Sequence, residues 1–124
     1  THIFIEENLQ AFRPGLSSAK TLITLARFNG IVSYVCKKEF GLLPVYLNVN
    51  SARKSLGIKM IRGKKAEKST KEQVLDWVDS ELDNYQWPNK TLKSGPRKGT
   101  VVLESGCYDM ADSYVIARAG KMNI

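Results

Sequence analysis

The 124-residue chain carries a net charge of +7. Its 43% hydrophobic and 25% charged residues are typical of a folded globular protein, and the length predicts one domain over residues 1–124. No apolar stretch reaches the ~20 residues that a membrane span needs, and no secretion signal opens the chain. We therefore expect an intracellular protein, in the cytoplasm or an organelle matrix, whose basic charge favours nucleic acid over a membrane surface as its partner.

The cysteine and histidine content argues against a zinc or haem protein. Cys36 and Cys107 stand far apart in the sequence, neither belongs to a CxxC pair, and His2 is the only histidine. A structural zinc ion needs a full set of such ligands at short spacing. We therefore expect two free, buried thiols.

The first predicted element is a strand over residues 2–7. Apolar side chains occupy both of its alternating faces, a pattern typical of a strand buried in the middle of a sheet. The strand ends on Glu6 and Glu7, and a carboxylate in a sheet centre is costly unless it is paired or holds a metal ion. Because neighbouring strand residues point to opposite faces, only one of the two can face a shared site, and we choose Glu6.

A long helix is predicted next, over residues 18–39. Ser17 or Ser18 can cap its first turn, apolar residues recur at helical spacing, and Gly41 ends it. Residues 43–49 then predict a second strand. Together these elements form a β-α-β unit, in which the two strands are parallel.

The Asn29-Gly30 pair inside this helix leaves an alternative open. Asparagine followed by glycine is the strongest short signal for a hairpin turn, which would replace the helix by two strands. The flanking apolar residues follow helical rather than alternating spacing, so we favour the helix. In that helix we expect Gly30 to let another backbone approach closely.

A strongly basic segment, residues 53–71, overlaps the end of a short helix predicted over residues 50–56. It contains eight basic side chains against one acid, Glu67. A block of one charge sign repels itself, so we expect a mobile loop until an anionic partner binds. The predicted nucleic-acid contacts are Arg53, Lys54, Lys59, Arg62, Lys64, Lys65, Lys68 and Lys71.

An amphipathic helix is predicted after the basic segment, with Ser69 and Thr70 at its start. Residues 85–107 are rich in glycine and proline, and predict an irregular connection with a short extended piece at residues 100–103. We expect little chemistry in that connection. The predicted inner face of the helix is Val74, Trp77, Val78 and Leu82.

The last predicted helix, over residues 108–119, carries two aspartates. Asp109 and Asp112 are three residues apart, so their carboxylates project from one face, and both are expected in the first turn. Together they can bind one cation; alternatively they only cap and stabilise the helix N-terminus. With Glu6 facing them, they would supply part of the oxygen ligands that two Mg²⁺ ions need for phosphodiester hydrolysis.

Motifs along nearly the whole chain resemble those of RuvC-type Holliday junction resolvases, a branch of the RNase H-like nucleases. No single motif is specific; their order and spacing carry the resemblance. The matching segments are Ile5-Glu6, Leu25 to Gly30, Pro44-Val45, Arg53 to Gly57, Lys71 to Val74 and Asp109 to Ser113.

The resemblance implies an α/β fold of the RNase H-like type, with a mixed sheet and flanking helices. It implies a metal-dependent endonuclease that binds four-way DNA junctions and resolves them by paired nicks, with Mg²⁺ or Mn²⁺ as cofactor. It also implies a homodimer through the 18–39 helix. By their matching positions Glu6, Asp109 and Asp112 would be metal ligands, while the basic Lys54 and Lys71 would lie near the scissile phosphate or the junction backbone. Glu6, Asp109, Asp112 and Lys71 are the expected catalytic set.

The chain departs from the family at its start and in its last motif. The family's aspartate-bearing first strand and the two strands after it do not occur, and the chain opens on Thr1. We therefore expect either that the aspartate-bearing strand lies on a removed or disordered segment or that this form is inactive. With three ligand carboxylates, at least one metal ion should be held weakly, and the small sheet should expose apolar faces. In the last motif, Ser113 stands where alanine is usual.

Two alternatives to a junction resolvase remain open. One is another RNase H-like nuclease, which cuts RNA–DNA hybrids or processes viral DNA. The other is a non-catalytic module that binds DNA or RNA through the basic segment, with the acids acting only as caps and surface charges. Binding that depends on salt but not on Mg²⁺ would favour the module.

Overall fold

The computed structural model describes residues 1–8 and 18–124 as a mixed α/β protein with small sheets. Within them the chain divides into a first unit, Thr1–Ala52 with Ile116–Ile124, and a second unit, Arg53–Val115. No helix in this part of the chain is long and apolar enough to span a bilayer. The elements are β1 (Phe4–Glu6), α1 (Ala19–Phe40), β2 (Val45–Leu47), α2 (Val49–Ser55), a 3-10 turn (Gly63–Lys65), α3 (Thr70–Glu81), β3 (Asn89–Thr91), β4 (Val101–Leu103) and α4 (Gly106–Met122).

The first unit contains the predicted β-α-β arrangement. β1 pairs with β2 in parallel, with Phe4 opposite Val45, and α1 connects them. The expectation of a strand buried in the middle of a sheet is wrong, because β2 is the only strand paired with β1 among the described residues. Ile5 is therefore only half-buried and Glu6 is exposed. The burial cost that singled out Glu6 in the sequence does not apply in this sheet.

Helix α1 begins and ends within one residue of its predicted bounds. The Ser18 hydroxyl accepts a hydrogen bond from the Thr21 backbone N–H at 3.1 Å, which satisfies one of the unpaired donors of the first turn. Gly41 ends the helix with a φ of +69°, and its N–H donates to the Lys37 carbonyl. The hairpin alternative is therefore wrong. The other candidate cap, Ser17, lies outside the described residues.

Polar side chains fasten α1 to the ends of the paired strands. The Tyr46 hydroxyl, on β2, donates to the Asn29 carbonyl at 2.9 Å, and the Ser33 hydroxyl donates to the same carbonyl at 2.8 Å. The Ser33 and Tyr46 hydroxyl oxygens also lie within hydrogen-bond distance of each other. The Asn29 side-chain amide donates to the Asn8 side-chain oxygen at 3.3 Å. These bonds fix the orientation of α1 on β1 and β2.

Close approach of neighbouring elements occurs at Gly120, not at Gly30. A Cβ atom at Gly120 would lie 2.5 Å from the Phe4 ring, so the absence of a side chain lets α4 pack directly on β1. Apart from its chain neighbours and the nearby backbone of α1 itself, no described atom lies within 4 Å of a Cβ position at Gly30, so the close approach expected there is not found. Gly30 is instead exposed on α1.

The second unit packs α3 against the first half of α4. Ser69 and Glu72 form a reciprocal capping box at the start of α3, with the Ser69 N–H donating to the Glu72 carboxylate at 2.8 Å. Of the predicted inner face, Val74 and Val78 are buried, whereas Trp77 and Leu82 are half-buried. The buried core of this unit comprises Val74, Leu75, Val78, Cys107, Ala111 and Val115.

The connection after α3 contains more structure than the sequence predicts. The expected extended piece is β4, and it pairs in antiparallel fashion with β3, which was not predicted. Helix α4 then begins two residues before the expected start, at Gly106. Asp109 therefore lies in its first turn, but Asp112 lies beyond it, and the expectation for Asp112 is wrong. The prediction that Cys36 and Cys107 are free and buried is confirmed.

Candidate functional site

The basic segment presents most of its cations to solvent. Its chain leaves α2 after Ser55, makes the 3-10 turn at Gly63–Lys65 and enters α3 at Thr70. Arg53 is the one half-buried cation among the eight predicted contacts. The exposed ones are Lys54, Lys59, Arg62, Lys64, Lys65, Lys68 and Lys71.

The side chain of Gln73 fastens the basic segment to α3. Its amide oxygen accepts from the Ile61 N–H at 2.8 Å, while its amide NH₂ donates to the carbonyls of Ile61 and Lys68, each at 2.9 Å. Gln73 thus closes residues 61–68 into a loop that carries four of the cations. Hydrogen bonds within the chain therefore order this segment. The sequence had led us to expect a mobile loop that only an anionic partner would order.

Two of the predicted DNA contacts already have an acidic neighbour. The Lys68 ammonium lies 2.6 Å from the Asp76 carboxylate, and this hydrogen bond raises the pKa of Lys68 above its ordinary value of 10.5. Both side chains are more than half exposed, so solvent and salt screen the attraction. Lys68 can therefore exchange Asp76 for a phosphate at little cost.

The other pair joins Arg53, at the end of α2, to Asp112 on α4. The distance between Arg53 Nη2 and Asp112 Oδ1 is 3.2 Å, and the two side chains are only 12% and 23% exposed. The Arg53 Nε atom is buried and has no hydrogen-bond partner among the described residues. The pair thus brings the first cation of the basic segment directly against one of the predicted metal ligands.

Asp109 differs from Asp112 in its surroundings. It lies one turn earlier on α4, is exposed, and receives no hydrogen bond or ion pair from the described residues. It is not the N-cap residue of α4, which begins three residues earlier, so the capping alternative is limited to a favourable interaction with the helix dipole. Its separation of three residues still places the carboxylate on the same helix face as Asp112.

The two aspartates provide the kind of donor that Mg²⁺ prefers. Both offer hard carboxylate oxygens from one helix face, which fits part of a Mg²⁺ coordination shell, although Arg53 occupies one oxygen of Asp112. Glu6 belongs to the first unit. Among residues 1–8 and 18–124 no group of three or more His, Cys, Asp and Glu side chains is placed to hold a metal ion. The three-carboxylate site stays a prediction.

Sequence reasoning missed the role of Gln73, although this residue stands inside one of the family-like motifs, Lys71 to Val74. The structure shows that Gln73 is half-buried, and a buried side-chain amide normally has hydrogen-bond partners, but the sequence does not show this burial. Which backbone it bonds depends on the fold. Lys71 itself is exposed in the first turn of α3, as a phosphate contact requires.

No protein-family model matches the chain, and a match was found neither among the curated proteins nor among the solved structures.

Proposed function

We propose that this chain is a RuvC-type resolvase domain with an RNase H-like fold, a Mg²⁺-dependent endonuclease that binds four-way DNA junctions and cuts them by paired nicks. The observation that carries the proposal is the ion pair between Arg53 and Asp112. It joins the basic segment to the acidic pair Asp109 and Asp112, so the phosphate-binding side chains and these two carboxylates belong to one compact unit. The order of the family-like motifs in the sequence supports the same function.

In this proposal the basic segment holds the DNA by its phosphates. Seven exposed cations within 18 residues, from Lys54 to Lys71, give a strong and salt-dependent attraction to a polyanion. Because the Gln73 side chain already fixes the loop over residues 61–68, less conformational entropy is lost when DNA binds. Phosphate contacts position DNA without reading its sequence, which suits recognition of a branched shape.

The acidic pair supplies the chemistry. Asp109 and Asp112 would hold Mg²⁺ from one face of α4. When held there, Mg²⁺ would supply the activation of a water molecule and the stabilisation of the leaving oxygen that phosphodiester hydrolysis needs. Arg53 orients the Asp112 carboxylate, and Lys71 places its positive charge against the scissile phosphate.

The proposed homodimer forms through α1. Apolar side chains remain exposed along this helix, and a second copy of the chain would remove them from water. Sedimentation velocity tests this: the protein should sediment as a dimer, and the variant Phe28→Glu/Ile31→Glu as a monomer. A monomeric unsubstituted protein would contradict the dimer. The exposed side chains are Ile23, Leu25, Phe28, Ile31, Tyr34 and Val35.

One observation favours a second candidate function, a non-catalytic module that binds DNA or RNA. Arg53 neutralises Asp112 within the protein itself, which gives that carboxylate a structural role without any metal ion. In such a module the basic segment would act alone. The remaining alternative, a different RNase H-like nuclease, would use the same residues on an RNA–DNA hybrid or on viral DNA.

Nicking of a synthetic four-way junction in Mg²⁺, beside binding of the same junction in Ca²⁺, tests the proposal. Asp109→Asn and Asp112→Asn preserve side-chain size but remove the charge that binds Mg²⁺, so each should abolish nicking. Binding should persist, because the phosphate contacts come from the basic segment. Asp83→Asn, which alters an exposed aspartate after α3, is the matched control and should leave nicking unchanged.

Three results separate the candidate functions. Full nicking by the Asp112→Asn variant would contradict the proposal that Asp112 is a metal ligand. Binding that depends on salt, ignores Mg²⁺ and is never followed by nicking would favour the module. Preferential cutting of an RNA–DNA hybrid of equal length would favour the other nuclease class.

A further inference from the structure

A second cationic surface lies on the hairpin formed by β3 and β4. Between Asp83 and Glu104 the sequence contains no acidic residue. The Lys90 ammonium lies 3.7 Å from the Glu104 carboxylate, whereas no acidic side chain of the described residues pairs with the other three cations. The basic residues of this surface, all exposed, are Lys90, Lys93, Arg97 and Lys98.

The tip of this hairpin is ordered by its own backbone. The Leu92 N–H donates to the Thr100 carbonyl at 2.9 Å, and the Gly99 N–H returns a bond to the Leu92 carbonyl at 2.8 Å. Within the tip, the Lys98 N–H donates to the Gly95 carbonyl at 3.1 Å. Gly95 and Gly99 have φ values of +82° and +87°, which allow the chain to reverse without strain. Three cations are thus presented from an ordered turn over residues 93–98.

The base of the hairpin is tied to two helices of the same unit. The Trp87 indole N–H donates to the Asp79 carboxylate on α3 at 2.8 Å. The Cys107 thiol, at the start of α4, donates to the Pro88 carbonyl at 3.2 Å, and the Glu104 N–H donates to the same carbonyl at 2.9 Å. These anchors hold the hairpin in place before any ligand arrives, so binding through it loses little conformational entropy.

We infer that the β3–β4 hairpin is a second contact for the phosphate backbone of DNA, made by Lys93, Arg97 and Lys98. A fixed group of cations without acidic neighbours attracts a polyanion, and the Arg97 guanidinium can bond a phosphate through two N–H groups. The inference rests on the proposed function for the identity of the ligand. It adds a second surface, distinct in sequence from the basic segment, to a protein that must hold more than one duplex arm.

The test measures junction affinity across a salt series in Ca²⁺ for the variant Lys93→Gln/Arg97→Gln/Lys98→Gln. Loss of three phosphate contacts should reduce the slope of log K against log salt by about 2 to 3, at about 0.9 for each contact. Affinity at fixed low salt should fall by at least about tenfold. Lys20→Gln/Lys38→Gln/Lys121→Gln changes the net charge equally on exposed helix residues of the first unit, and should leave the slope unchanged.

A third variant distinguishes the basic segment from the hairpin as a DNA-binding surface. Lys59→Gln/Lys64→Gln/Lys65→Gln removes three cations of the basic segment and should lower the slope of log K against log salt. If the basic-segment variant has a lower salt slope while the hairpin variant keeps the slope of the control, the hairpin inference is overturned and the proposed DNA binding by the basic segment stands. If the hairpin variant loses slope but the unsubstituted protein never nicks DNA, the hairpin is supported and the nuclease is not. A protein that binds no DNA overturns both.

Circular dichroism of each variant shows whether it has folded. Should the triple hairpin variant unfold, the single Lys93→Gln and Lys98→Gln variants replace it, because each of these side chains is exposed and makes no contact that holds the hairpin. Each should reduce the slope by about 0.9. Unchanged slopes in both would overturn the inference.

Discussion

The guanidinium of Arg53 lies 3.2 Å from the carboxylate of Asp112, and neither side chain is more than about a quarter exposed. The pair connects the end of α2 with the second turn of α4, across 59 residues of sequence. Because water reaches both groups only partly, salt should screen their attraction less than it screens a surface pair. The pair therefore joins the end of α2 to α4 and also reduces the negative charge around a proposed metal ligand.

A double-mutant cycle should show this coupling. Arg53→Met and Asp112→Asn should each cost about 1 to 3 kcal/mol, since each leaves a largely buried polar partner unsatisfied. The double variant should cost less than the sum by about 0.5 kcal/mol or more. Urea unfolding measures all three. The same cycle on Lys68 and Asp76, which are exposed, is the control and should show a smaller coupling that vanishes in high salt. If the costs of Arg53→Met and Asp112→Asn simply add in the double variant, the two side chains are not coupled.

Removing the Gln73 side chain should loosen the basic segment without removing a charge. In Gln73→Ala the backbone N–H of Ile61 loses its acceptor, so its hydrogen exchange should become faster. DNA affinity should fall because the loop must now be ordered on binding, whereas the salt slope should not change. Gln86→Ala, which removes only a 3.4 Å bond to the Asn84 carbonyl, is the control. A changed salt slope would mean that Gln73 contacts DNA directly.

A methyl group at Gly120 should destabilise the protein. Gly120→Ala forces the Phe4 ring to move, because the new Cβ would lie 2.5 Å from it, and overpacking of this kind costs about 1 to 3 kcal/mol. Gly30→Ala is a matched control on α1. Its Cβ would meet no described atom outside α1 and its own chain neighbours, and alanine should stabilise the helix interior by about 0.5 to 1 kcal/mol. The Tm should therefore fall for Gly120→Ala and rise for Gly30→Ala. Equal shifts of the Tm in the two variants would contradict the packing of α4 on β1.

The capping box of α3 should make stability depend on pH. The hydrogen bond from the Ser69 backbone N–H lowers the pKa of the Glu72 carboxyl below its ordinary value of 4.5. A lowered pKa means that the stabilisation is complete above pH 4.5 and is lost as the pH falls through the folded-state value. The Tm of the unsubstituted protein should exceed that of Glu72→Gln near neutral pH, and the gap should close in acid. Parallel Tm curves from pH 3 to pH 7 would disprove this.

Much of the local structure follows from short stretches of sequence. Ser18, Gly41 and the Ser69–Glu72 box mark helix ends within about one residue, because a cap is a hydrogen bond between residues at most four apart. The parallel pairing of β1 and β2 also follows, since a helix between two strands returns the chain in the same direction. Neither prediction needs knowledge of distant residues.

Strand burial and strand pairing depend on neighbours that no local pattern specifies. The apolar residues of β1 predict a central strand, yet the strand pairs only with β2 in the described sheet. The residues of β3, Asn89–Thr91, are polar and exposed, so they carry no alternating pattern and only the backbone bonds to β4 make them a strand.

For the charges of the candidate site, too, some properties follow from the sequence and others depend on the tertiary structure. The sequence alone determines that residues 53–71 are basic and that Asp109 and Asp112 share a helix face, because charge and helical spacing are local properties. Only the tertiary structure decides that Arg53, among eight cations, is the one turned inward onto Asp112. The fold brings the end of α2 beside α4, although Arg53 and Asp112 are 59 residues apart in the sequence. Electrostatic attraction depends on distance in space, not on separation along the chain.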